Sequence, residues 1–159
     1  MIVEYAQILS TAHRMLDGIE YIGKSKTGRN VRRYKMGNPN LDKVVYQAVH
    51  YHHPSVVWAR ETKKQYMWLY SLFVELGKEY THRYGKVHAT DKKLRKALER
   101  LPDNIPVKKM TPFRLAMKSN PECMFEDPIK SYRAFYKTKE ARFSMVWTKR
   151  EVPTWFAYK

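Results

Sequence analysis

The densest run of chemically useful side chains lies between Lys24 and Lys35, where Lys24, Lys26, Arg29, Arg32, Arg33 and Lys35 supply six cations and no acid. Such a run suits phosphate oxygens, and the competing reading is a solvated loop. A second group is Arg83-Tyr84-Gly85-Lys86-Val87-His88. If a helix ends there, the cations answer its negative pole; equally, Gly85 lets backbone approach a phosphate that Arg83, Lys86 and His88 surround. Arg60, Lys63 and Lys64 fall where the same helix should begin, a place the dipole makes unfavourable for cations, and this points to an anionic ligand. Trp155 and Tyr158 stand among Lys149, Arg150 and Lys159 in a terminal segment. Rings interleaved with cations suit stacking on exposed bases, unless Trp155 simply pins the tail.

Other chemistries find less support. His50, His52 and His53, with His82 and His88 further on, would bind zinc only if three imidazoles converged. One cysteine and no paired H-x-x-x-H argue against a metal site, and solvated or core-lining histidines are the favoured reading. No phosphate-cradling glycine loop of the P-loop or dinucleotide type occurs, and no Gly-x-Ser-x-Gly elbow. No cofactor is expected.

The elements that must position these residues read as helices. Ile2, Ala6, Leu9, Ala12 or His13, and Leu16 recur at helical spacing up to Gly18, so a helix is expected from the first residues, and an ordered start there suggests a missing first turn or segment. From Gly23 to Asn40 the periodicity is lost, and Gly23, Gly28, Gly37 and Asn38-Pro39 predict a loop. A short helix is expected within 41–51. Pro54 opens a long central helix whose apolar face, from Trp58 through Phe73 to Tyr84, runs to Gly85. Thr90 should cap a helix reaching Leu101, Thr111-Pro112 another over Phe113 to Met117, and Asp127-Pro128 a last one reaching about Trp147. No strong strand pair competes. The expected fold is all-α, a single compact helical domain over 1–159 with a long central helix, a basic loop at 21–40 and an aromatic C-terminal tail at 152–159.

The 159 residues carry 31 Lys and Arg against 15 Asp and Glu, a formal charge of +16. So large a surplus opposes compaction by self-repulsion and is best explained by a polyanionic partner, with nucleic acid first. A hydrophobic share of 43% argues against a disordered tail. Cys123 has no partner for an internal disulfide, and no signal-peptide pattern precedes the first helix, so a reducing compartment is expected. No apolar run is long enough to span a bilayer, and no membrane partner is expected.

Two ends of the chain carry a resemblance. Met1-Ile2-Val3-Glu4-Tyr5-Ala6-Gln7 resembles the helix bearing the catalytic glutamate of the phage pyrimidine-dimer DNA glycosylases (endonuclease V), and Pro153-Thr154-Trp155-Phe156-Ala157-Tyr158 is similar to their C-terminal Pro-Thr-Trp-Tyr-x-Tyr segment. Across most of its length the chain is also similar to small phage proteins distantly related to that glycosylase. The residues that carry this are 6–13, His53-Pro54 with Trp58 and Arg60, Glu79-Tyr80 with Arg83-Tyr84-Gly85-Lys86 and His88, and Arg150-Glu151-Val152-Pro153 before Trp155.

The resemblance implies a helical enzyme, acting on damaged or distorted duplex DNA in the cytoplasm of an infected bacterium. An N-terminal α-amine would attack the sugar C1′, form a Schiff base and cleave the strand by β-elimination. Glu4 would be the carboxylate that stabilises charge and moves protons, with the Met1 amine as nucleophile. The chain departs from the pattern in lacking the Asp-Lys-His segment that its relatives carry before this helix. Two other readings share the same charge: a non-catalytic nucleic-acid-binding protein on the same scaffold, and a phage inhibitor of an acidic host protein. The residues specify no oligomeric state.

Overall fold

A computed structural model describes residues 1–157, so Tyr158, assigned to nucleic-acid binding from the sequence, lies outside the described residues. The chain gathers into two compact units, Met1–Thr111 and Pro112–Lys159. The order of elements in the first is α1 (Ile2–Asp17), β1 (Ile19–Lys24), β2 (Asn30–Lys35), α2 (Pro39–Val44), α3 (Pro54–Ala59), α4 (Lys63–Tyr84) and α5 (Ala89–Glu99). The second holds α6 (Pro128–Lys137) and α7 (Thr154–Ala157), with 3-10 turns at Pro121–Cys123 and Thr138–Ala141.

The core of the first unit is built where α1, α4 and α5 meet. Ile2, Ala6, Leu9 and Ala12 of α1 are buried, as are Tyr66, Leu69 and Phe73 of α4 and Leu94 and Leu98 of α5. Full burial of each large apolar side chain here contributes about 1.5–3 kcal/mol. Helix α1 stops at Gly18 as its periodicity indicates, and α4 stops at Gly85, whose φ of 68° is the left-handed conformation that glycine adopts without strain.

The all-α expectation is corrected: the fold is helix-dominated but mixed, because most of the expected basic loop is an antiparallel two-stranded ribbon. Its register pairs Glu20 with Tyr34, Ile22 with Arg32 and Lys24 with Asn30. The turn has three residues between Ser25 and Arg29, with Ser25 N–H donating to the Arg29 carbonyl at 2.8 Å and Gly28 N–H to the Ser25 carbonyl at 3.0 Å. Gly28 takes φ 79°, the left-handed position that closes such a turn and that favours glycine.

The single central helix is also corrected. It is two helices, α3 and α4, divided at Arg60–Thr62. The hydroxyl of buried Thr62 accepts from Gln65 N–H and starts α4 afresh, while the Gln65 side-chain amide donates to the Trp58 carbonyl at 2.8 Å. Asn38 caps α2, which is over by Val44, earlier than the expected 41–51. His88, not Thr90, is the N-cap of α5, its Nδ1 accepting from Thr90 N–H at 3.2 Å.

No helix forms at Thr111-Pro112, because the Thr111 carbonyl accepts from Trp58 Nε1 at 3.1 Å and its N–H donates to Gln65 Oε1 at 3.4 Å. Those distant partners occupy the backbone groups that an N-cap would use. In the second unit Asp127 caps α6 as its sequence suggests, but the helix gives way to a 3-10 turn after Lys137 and does not reach Trp147.

Candidate nucleic-acid interface

The ribbon is held at its root by a buried arginine. Arg14, 1% exposed, donates from Nη1 to the Tyr34 carbonyl at 2.6 Å and to Asp42 Oδ1 at 2.8 Å. It donates from Nη2 to the carbonyls of Asp42 and Val45 at 2.8 and 2.9 Å, and from Nε to that of Tyr46 at 2.6 Å. One guanidinium thus ties α1 to the end of β2 and to α2, with its donors matched to fixed acceptors. Burial pushes the Asp42 carboxyl up, but the Met36 N–H and Arg14 outweigh it and hold the group below the usual carboxylate range.

A second tie runs through Tyr51. Its hydroxyl donates to the Arg32 carbonyl at 2.9 Å, its ring meets Tyr34 edge-on at 5.9 Å, and its own carbonyl accepts from Arg60 Nη2 at 2.9 Å. Arg60, expected at a phosphate, therefore braces the turn that braces the ribbon.

Beyond this root the ribbon stands open. Cross-strand partners share a face, so Ile22, Lys24, Asn30 and Arg32 lie on one side and Tyr21, Gly23, Val31, Arg33 and Lys35 on the other. Lys24 Nζ donates to Asn30 Oδ1 at 2.6 Å, and Arg32 Nε pairs with Glu20 at 3.1 Å while half exposed. Lys26, Arg29, Arg33 and Lys35 make no ion pair among the described residues. Ile19, Tyr21 and Ile22 are 73%, 47% and 66% exposed. Exposed apolar side chains thus alternate with cations along both faces of the ribbon.

The remaining cations are scattered. Lys63 and Lys64 are exposed in the first turn of α4 and Lys86 follows its C-terminus, at opposite ends of a helix about 33 Å long. Arg83 pairs with Glu79 at 2.7 Å, and the His88 ring lies edge-on to Tyr80 at 4.8 Å. Capping and pairing account for both. Trp155, in the second unit, is half-buried, with the Arg133 guanidinium 5.6 Å from its ring and Phe156 edge-on at 5.6 Å. No group of three or more metal-ligating side chains converges among the described residues.

At the far end of α1 the Met1 α-amine sits 3.1 Å from Glu4 Oε2, with both side chains more than half exposed. Along the helix axis Glu4 is about 21 Å from Gly18, where the ribbon begins. The structure thus gathers Lys24 to Lys35 into one element and places the amine–carboxylate pair apart from its root.

Sequence reasoning missed Arg14, and it placed His13 on the apolar stripe of α1 as an alternative to Ala12 without assigning it a partner. His13 is wholly buried, its Nε2 2.8 Å from the Tyr66 hydroxyl, which donates to the Leu98 carbonyl at 2.9 Å. Burial lowers the His13 pKa to about 4, against the opposing pull of Asp17. Their signal was position: both fall on the side of α1 that also carries Ala6 and Leu9. No helix among the described residues is long and apolar enough to cross a membrane. No family model, curated protein or solved structure matches this chain.

Proposed function

We propose that this is a DNA-binding protein that grips the sugar-phosphate backbone with the β1–β2 ribbon. The observation that carries the reading is the ribbon itself, anchored at its root by Arg14 and Tyr51 and presenting cations on both faces and at its tip. A net charge of +16 supports it. If about four to six of the ribbon cations each neutralise a phosphate, log K should fall against log salt with a slope of roughly −4 to −5 on duplex DNA. Neutralising Arg32 and Arg33 together should weaken all sequences alike, because phosphate contacts position a protein without reading bases. Binding indifferent to salt, or to this double substitution, overturns the reading.

The pair at the start of α1 favours a second reading, an abasic lyase or glycosylase of the pyrimidine-dimer type. The unprotonated α-amine would displace the base from C1′, its own proton leaving with the base, after which the ring oxygen departs from C1′ to give an iminium; at an abasic site it would instead add to the open-chain C1′ aldehyde and lose water to give the same iminium. Loss of a C2′ proton to Glu4 would then expel the 3′-phosphate by β-elimination. Borohydride should trap the iminium as a covalent adduct on abasic or ultraviolet-irradiated duplex, and Glu4→Gln should suppress nicking while leaving binding intact. Absence of both adduct and nicking removes this reading and leaves the first untouched.

A further inference from the structure

The distribution of cations on the ribbon specifies how it meets DNA. We infer that the ribbon enters the major groove of B-form DNA tip first, with Lys26 and Arg29 toward the base edges and Arg32 and Arg33 on the two opposing phosphate walls. This rests on the ribbon being the DNA-gripping element.

Four observations carry it. First, Arg32 and Arg33 are neighbours in β2 and so project from opposite faces, as do Lys24 and Lys35. A ribbon lying flat on one strand of a duplex would use one face and leave the cations of the other in solvent. A ribbon standing in a groove has a phosphate wall on each side, and only that placement uses both sets.

Second, the dimensions fit one groove. With its faces toward the walls, a single sheet layer and its side chains takes about 10 Å, which the major groove, about 12 Å wide, accommodates and the minor groove, about 6 Å wide, does not. The groove is about 8.5 Å deep and a strand advances about 3.4 Å per residue, so it takes the turn and one or two residue pairs behind it. Lys24 then lies within the groove, and the long side chains of Arg32 and Arg33 reach the phosphates at its mouth.

Third, side chains of the face that carries Arg33 lean toward the tip. A Cβ at Gly23 would stand 3.2 Å from Tyr21 Cε2 and 3.0 Å from Arg33 Cγ, so the tyrosine ring and the arginine stem lie over the Gly23 backbone, one same-face step nearer the turn than their own pair.

Fourth, the tip is compact and made of hydrogen-bonding groups. The Ser25 hydroxyl accepts from Thr27 N–H at 3.3 Å and Arg29 N–H at 3.1 Å, which keeps Lys26 and Arg29 on a closed turn with no ion pair to an acid. An arginine in that position matches the O6 and N7 acceptors of guanine, the commonest specific contact in this groove. Arg32 leaves Glu20 when it takes a phosphate, exchanging one exposed pair for another at little cost.

The same geometry excludes double-stranded RNA, whose A-form major groove is too deep and narrow for the ribbon. The test is anisotropy titration of the full chain against a short DNA duplex, an RNA duplex of the same sequence, and the DNA duplex already loaded with methyl green or distamycin. The first dye fills the major groove and the second the minor. DNA should bind at least about tenfold tighter than RNA at equal salt, with methyl green competing and distamycin not. Arg32→Gln and Arg33→Gln should each reduce the salt slope by about 1, with unchanged melting temperatures, and Arg29→Gln should narrow the spread of affinities among sequences.

Competition by distamycin alone, or equal binding to RNA, overturns groove insertion while ribbon-dependent, salt-sensitive binding stands. A salt slope unmoved by the Arg32→Gln, Arg33→Gln double variant overturns the gripping ribbon as well.

Discussion

Acidification below pH 6.5 should weaken this fold through one buried imidazole. His13 is fully buried between α1 and α4 with Nε2 on the Tyr66 hydroxyl, and burial depresses its pKa from 6.5 to about 4. Asp17, a hydrogen bond to the Arg100 backbone and Asp103 pull the value up and the Arg100 charge pushes it down, without overcoming burial. Above pH 6.5 both folded and unfolded chains hold the ring neutral, and stability is complete. As pH falls below 6.5 the unfolded chain takes up a proton that the folded chain refuses until about pH 4, so stability declines across that window and levels off beneath it. The full loss is about 3 kcal/mol, of which about 2 kcal/mol is gone by about pH 5.

Urea unfolding of the wild type and His13→Gln, followed by far-ultraviolet circular dichroism between about pH 7.5 and pH 5, isolates the effect, since the difference between the two proteins cancels every other titration. The wild type should lose about 2 kcal/mol more than the variant over that range. Protonation of Asp42 falls outside the window, because its folded value lies below 3.8 and its contribution is lost only as pH drops through that lower value. Parallel pH profiles for the two proteins, or a His13 ring that titrates near 6.5 by NMR, would refute the reasoning.

Arg14→Met should cost about 3–5 kcal/mol in the same urea assay, since it strands the Asp42 carboxylate and four backbone carbonyls that the guanidinium now satisfies. A loss below about 1 kcal/mol would mean that water replaces it freely. Gly77→Ala should lower the melting temperature despite the roughly 1 kcal/mol that alanine gains in helix propensity. The new methyl would stand 2.5 Å from Asp91 Oδ2, and Arg95 holds both oxygens of that buried carboxylate in place. Trp155→Ala should destabilise the second unit by about 1–2 kcal/mol through loss of the Arg133 and Phe156 contacts, read from the near-ultraviolet circular dichroism transition.

What the sequence determines here is whatever depends on neighbours within a turn or two. The apolar spacing of α1 and its end at Gly18, the run of α4 to Gly85, and the proline-led starts of α3 and α6 all follow from local periodicity and capping. So does the concentration of cations between Lys24 and Lys35, though not their arrangement. The ribbon escaped notice because neither face of its outer half is buried, so Ile22 and Arg32 share one side and Tyr21 and Arg33 the other, with no alternation of apolar and polar for a strand pattern to show. Tertiary structure alone divided α3 from α4, through buried Thr62 and Gln65, and kept Thr111 out of a helix by giving its backbone to Trp58 and Gln65. It also turned Arg14 and His13, polar by type, into buried anchors, because a side chain's partners lie 20 to 53 residues away and no local pattern encodes them.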